Sequence, residues 1–217
     1  DLVAECVAAM ARAVPVPITV KTRIGIDDRD SYAEFSHFIA TVAATGCRTF
    51  IIHARKAWLQ GLSPKENREV PPLRYDIAAQ LKQDFPALTI ILNGGIQNLD
   101  EAAAHLRVFD GVMIGRAAYH NPYLLADADR RFFGATAPAP TRQAIIADLL
   151  PYLQRELDRG VRLHAMTRHL LGLFHGQPGG RIWRRRLGEA ALQPGGDGLA
   201  ALTGLLEYGS EALTTQH

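Results

Sequence analysis

Cysteine is nearly absent from this chain, with only Cys6 and Cys47 among 217 residues. So few thiols exclude a disulfide framework and suit a reducing cytoplasm. There is no apolar run of about 18 residues and no leader-like start, so neither a membrane span nor an export signal is expected. No His or Cys stands at ligand spacing from His53, which argues against zinc. Acid is also missing locally: residues 159–188 hold seven arginines (159, 162, 168, 181, 184, 185 and 186) and no Asp or Glu. Residues 1–140, by contrast, balance 15 Lys and Arg against 15 Asp and Glu. A basic block beside a neutral region is either a solvated face or the footprint of a polyanionic partner.

What the chain does have is apolar content, 47% of it, enough for a sizeable core. Leu2, Val3, Cys6, Val7 and Met10 recur at helical spacing over residues 2–13, which puts Cys6 on the apolar face as a small core residue. Cys47, between a helix stop and a strand, is expected to be a core residue too. Strands are expected at Ile18–Arg23, Thr49–His53, Thr89–Leu92 and Gly111–Ile114. Helices are expected at 31–45 (capped by Ser31), 76–84 and from Asn98 onward. Strand and helix alternate, which specifies a parallel sheet with crossover helices. Four such units make half of a (β/α)8 barrel, read here as strands five to eight. Gly134–Pro140 has linker composition, so residues 1–134 form one domain and 141–217 another. The latter reads as a bundle of helices near 141–158, 162–175, 181–192 and 198–214.

In a barrel, polar groups at the carboxyl ends of strands face the active site. That rule selects Lys21 and Arg23, His53 and Arg55, Asn93, and Arg116. None is a carboxylate, so the set suits an anion better than a metal. Two strands run into glycine, at Gly94-Gly95 and at Gly115-Arg116, where backbone amides can approach a phosphate closely. The long loop 54–74 carries Lys65 and Arg68 at i, i+3 near Trp58. It is either a solvated loop or a contact for a large anionic substrate.

Several segments, in order, resemble the tRNA-dihydrouridine synthases, especially their bacterial A subfamily. They are Val20-Lys21-Thr22-Arg23-Ile24-Gly25, Ile52-His53-Ala54-Arg55-Lys56-Ala57, Gly61-Leu62-Ser63-Pro64-Lys65-Glu66-Asn67-Arg68, Asn93-Gly94-Gly95-Ile96 and Gly115-Arg116-Ala117-Ala118-Tyr119. Gly180-Arg181-Ile182-Trp183-Arg184-Arg185 extends the likeness into the tail. The resemblance implies a barrel that binds flavin mononucleotide (FMN), followed by a helical domain that grips tRNA. NADPH reduces the flavin, which passes a hydride to C6 of a flipped-out uridine of the D-loop, and a cysteine after strand four protonates C5. It carries over Lys21, His53, Asn93, Gly94, Gly95, Gly115 and Arg116 as flavin contacts, and Lys65, Arg68, Arg181 and Arg184 as tRNA contacts. Neither Cys6 nor Cys47 occupies the catalytic place. The chain, which starts at Asp1 and not at Met, is therefore expected to be a carboxyl-terminal portion, without a catalytic residue and inactive alone. The full-length enzyme is expected to be a cytoplasmic monomer. A dihydroorotate-dehydrogenase-type barrel would share the paired glycine loops but would not need the basic tail. A non-catalytic RNA-binding module is the other alternative.

Overall fold

A computed structural model describes residues 1–192 and Ala200. By its contacts the chain divides into two compact units, the first ending at Gly115 and the second beginning at Arg116. The division falls earlier than the Gly134–Pro140 stretch picked out by composition. Part of the reason is Tyr123, which packs against the core of the second unit and donates its hydroxyl to the Pro140 carbonyl at 3.0 Å.

In the first unit, α1 (Leu2–Ala13), β1 (Thr19–Arg23), α2 (Tyr32–Ala43), β2 (Thr49–His53), α3 (Tyr75–Asp84), β3 (Thr89–Asn93), α4 (Leu99–His105) and β4 (Gly111–Met113) follow one another. The four strands form one parallel sheet in sequential order, β1-β2-β3-β4. Right-handed crossovers between sequential parallel strands put every connecting helix on the same face. Burial follows that rule: Phe50, Ile52, Ile90 and Leu92 are fully buried on one face. On the alternating face Ile51, Ile91 and Met113 remain partly open and Lys21 is exposed.

Helix ends follow local chemistry. Ser31 Oγ accepts from the Glu34 amide and donates to the Glu34 carboxylate, and α2 then buries Phe35, Ile39 and Val42. Asn98 Oδ1 accepts from the Glu101 amide at 2.8 Å to start α4. α1 forms where its spacing predicts, but its buried residues are Ala4 and Val7. Cys6 is exposed, correcting its expected core role, because the stripe the helix buries is narrower than the sequence pattern. Cys47 is buried as expected, its thiol directed at the Ile18 and Thr49 carbonyls.

The second unit opens with two short helices, α5 (Arg116–His120) and α6 (Ala128–Phe132), followed by α7 (Arg142–Asp158), α8 (Leu163–Thr167) and α9 (Gly180–Leu192). Ile146, Leu153, Leu163, Leu173, Trp183 and Leu187 make its core. The helix expected over 162–175 ends at Thr167 and gives way to turns. There the Leu170 carbonyl accepts the Trp183 indole N–H at 2.9 Å and the Leu173 carbonyl accepts Arg142 Nε at 2.8 Å. Local turn bonds continue beside them, among them the Leu173 amide to the same Leu170 carbonyl at 3.0 Å, so the long-range partners are added to a run of turns in that segment. The helix expected at 198–214 lies, but for Ala200, outside the described residues.

Candidate functional site

Register places Arg23, His53, Asn93 and Met113 in one row across the carboxyl ends of the four strands. Lys21 lies two residues back along β1, on the same side of the sheet as Arg23. Asn93 spends its side-chain amide on the Met113 carbonyl, at 2.8 Å, while its own carbonyl accepts from the Ala54 amide at 3.0 Å. It therefore locks β3 to its neighbours on both sides. His53 is buried at the centre of the row.

Beyond Asn93 the chain turns through Gly94 (φ 113°) and Gly95 (φ 78°), conformations that side chains disfavour. A Cβ on Gly94 would stand 2.7 Å from His53 Cδ2 and 3.2 Å from His53 Nε2. One on Gly95 would stand 2.5 Å from Leu73 Cδ1 and 2.7 Å from the Tyr75 hydroxyl oxygen. The glycines thus lie directly on His53, Leu73 and Tyr75. Tyr75 donates its hydroxyl to the Gly94 carbonyl at 2.7 Å, a contact that sequence reasoning missed. Gly115 differs: its φ lies outside the left-handed region and a Cβ would meet nothing within 4 Å. Arg116 is the first residue of α5 and opens the second unit.

Two of the strand-end arginines turn out to be loop anchors. Arg23 Nη1 donates to the carbonyls of Lys56 (2.8 Å) and Asn67 (2.9 Å). Arg55 Nη1 donates to the carbonyls of Glu69 and Pro71. The loop has its own frame as well. Ser63 and Glu66 form a capping box, with Glu66 Oε2 accepting from the Ser63 amide at 2.7 Å and Ser63 Oγ accepting from the Glu66 amide at 3.3 Å. Asn67 holds the Trp58 backbone from both sides, accepting from its amide at 2.8 Å and donating to its carbonyl at 2.6 Å. The outcome is a fixed platform with a 3-10 turn at Glu66–Arg68, on which Lys65 and Arg68 are exposed.

The electrostatics are cationic. Burial, and then the charge of Arg23, hold the Lys21 pKa below the usual lysine value. Burial, then Arg55 and Arg68, lower that of Arg23, so three guanidinium groups feel one another at this edge. Burial raises the Tyr75 phenol, with Arg55 opposing and Glu101 adding to the shift. Among the described residues no cluster of His, Cys, Asp and Glu could hold a metal, and no helix is long and apolar enough to cross a membrane.

In the second unit, α9 buries Trp183 and Leu187 while Arg181, Arg184 and Arg185 are exposed. Positions i, i+3 and i+4 place these three on one side of the helix. Arg185 pairs loosely with Glu189 at 3.7 Å.

A parallel sheet with crossover helices, carrying a glycine turn and cations at its carboxyl edge, defines an α/β protein whose candidate site lies at the strand ends. Within that class the chain belongs to the dihydrouridine synthase family, whose model matches residues 1–202. It is 60% identical over 196 residues to a tRNA-dihydrouridine(20/20a) synthase of Vibrio cholerae, covering 90% of this chain and 60% of that protein. Proteins of the same name from Shewanella oneidensis (58% over 195 residues; 90% and 58% covered) and Pseudomonas putida (60% over 186 residues; 86% and 55% covered) are similar to it too. The chain thus spans between 55% and 60% of the length of these relatives.

Proposed function

We propose that this chain is part of a flavin-dependent tRNA-dihydrouridine synthase, which uses NADPH to reduce a D-loop uridine of tRNA to 5,6-dihydrouridine. The observation that carries the reading is the turn after β3. Two consecutive glycines at positive φ lie against His53, Leu73 and Tyr75, at a strand-end row without a carboxylate. Such a backbone suits a phosphate, and its surroundings suit an anionic ligand. The residues present therefore fit FMN.

Lys21, His53, Asn93, Gly94, Gly95, Gly115 and Arg116 would hold that group. Gly94, Gly95 and Gly115, with the Arg116 guanidinium, would take the phosphate. Lys21 offers a cation to an electron-rich ring. When bound, the flavin supplies the hydride that uridine reduction needs. Neither cysteine stands at the carboxyl edge of the sheet, so on this reading the proton for C5 comes from a residue outside this chain. The sheet itself reads as strands five to eight of a (β/α)8 barrel. Its sequential parallel order, single helix-covered face and partly open opposite face support that assignment.

Residues 141–217 would grip tRNA. Flipping a base out of its stack costs a few kcal/mol, and cationic contacts to the backbone offset it. Lys65 and Arg68 on the platform, with Arg181 and Arg184 on α9, would supply such contacts. The enzyme would act in the cytoplasm, as a monomer. The test is to purify the natural full-length protein and identify what it carries. A yellow protein that releases FMN and is bleached by NADPH supports the reading. A colourless protein that takes up no added FMN contradicts it.

A further inference from the structure

The glycine turn is held in place by two side chains that no strand-end or glycine pattern selects. Tyr75, the first residue of α3, donates its hydroxyl to the Gly94 carbonyl at 2.7 Å. Its ring is fixed from behind by His105 of α4, edge-on with centroids 4.6 Å apart. Two residues beyond the turn, Gln97 donates its side-chain amide to the Gly95 carbonyl at 3.0 Å. Gln97 is steadied in turn by its own amide, which donates to Glu101 Oε2 at 2.8 Å. Both glycine carbonyls are therefore claimed by side chains that are themselves anchored.

The consequence is geometric. The peptide bonds here are trans. In a trans peptide the carbonyl and the N–H of the next residue point in opposite directions. Fixing the Gly94 carbonyl on Tyr75 turns the Gly95 N–H away from Tyr75. Fixing the Gly95 carbonyl on Gln97 likewise turns the Ile96 N–H away from Gln97. Without these two donors each peptide plane is free to rotate, because glycine resists no conformation strongly. An amide that rotates puts a carbonyl oxygen where an anion needs a donor.

We propose that Tyr75 and Gln97 are positioning residues for phosphate binding: they orient the peptide units of the Gly94-Gly95 turn so that its N–H groups face the flavin phosphate. The inference rests on the flavin reading above. It adds that the selectivity for a phosphorylated flavin is set from beneath the turn, by residues that do not touch the ligand.

The experiment compares FMN with riboflavin, which lacks the phosphate. Dissociation constants of both are measured on the natural full-length protein, stripped of flavin, as wild type, Tyr75→Phe and Gln97→Ala. Tyr75→Phe removes one hydroxyl and keeps the ring. It should weaken FMN by about three- to tenfold, the scale of one lost hydrogen bond. Riboflavin affinity should stay within about twofold, since that ligand does not use the turn. Gln97→Ala should shift the ratio the same way, and it carries the test alone if Tyr75→Phe does not fold. A wild type that prefers FMN, with both variants keeping the full preference, overturns this inference and leaves the flavin reading standing. Equal weakening of both flavins also overturns it, since that is the mark of a general structural role. A wild type that binds neither flavin, or both equally, overturns the phosphate reading and this inference with it.

Discussion

Substituting the glycines of the site separately should give three different outcomes in the natural full-length protein. Gly94→Ala forces an alanine to φ 113°, for which the strain is about 1–3 kcal/mol. Its Cβ would also stand 2.7 Å from His53 Cδ2, on a buried ring fixed at the centre of the sheet. Overpacking of that kind adds about 1–3 kcal/mol, for a total loss of about 2–6 kcal/mol. Gly95→Ala carries similar strain at φ 78°. Its Cβ would meet the end of the Leu73 side chain, which can rotate away, and the Tyr75 hydroxyl at 2.7 Å, which must loosen its bond to Gly94 to make room. Strain plus that weakened hydrogen bond gives an expected cost of about 2–4 kcal/mol. Gly115→Ala meets nothing within 4 Å and should change stability by less than about 0.5 kcal/mol. Urea denaturation of the flavin-free proteins gives the three values directly. Equal losses at Gly94 and Gly115 would refute the reasoning, because they would mean that the turn does not press on His53.

Other substitutions test the remaining parts of the site. Arg116→Ala should let flavin escape during dialysis, seen as loss of yellow absorbance, if its guanidinium pairs with the phosphate. Arg181→Ala and Arg184→Ala should each weaken tRNA in filter binding and flatten the log-log salt slope by about one unit, leaving flavin reduction by NADPH unchanged. Asp110 concerns stability and pH. Partial burial pushes its carboxyl up, but the Lys82 ammonium and the Ile90 amide outweigh that and hold it below the usual carboxylate range. A depressed folded pKa gives stability that is present above the unfolded value of about 3.9 and is lost as pH falls through the folded pKa. Asp110→Asn should therefore cost about 1 kcal/mol at neutral pH, with the gap to wild type closing in acid, as urea titrations at several pH values would show.

The order of strands and helices was legible in the sequence because hydrophobic period, caps and glycine stops act locally. The placement of Lys21, His53 and Asn93 toward the carboxyl ends of their strands could be read for a related reason: a parallel α/β unit directs strand ends to one edge. The roles of Arg23 and Arg55 could not be read. Their acceptors are backbone carbonyls 14 to 44 residues away, and a carbonyl leaves no trace in side-chain pattern. Tyr75 escaped similarly. It follows a loop and reads as the start of a helix, and only the folded chain brings its hydroxyl to Gly94, 19 residues on. The stretch after Thr167 misled because its apolar residues recur at helical spacing, while its backbone closes successive i, i+3 turns and two of its carbonyls, Leu170 and Leu173, also bond to Trp183 and Arg142.

The central claim is best tested on tRNA itself. Unmodified tRNA transcripts are incubated with NADPH and the natural full-length protein carrying FMN, and dihydrouridine is then mapped along the RNA. The account predicts dihydrouridine confined to the D-loop, formed only when NADPH and the flavin-loaded protein are both present, and lost when Arg181 and Arg184 are replaced together. Flavin-loaded protein that oxidises NADPH but leaves every uridine intact would contradict it.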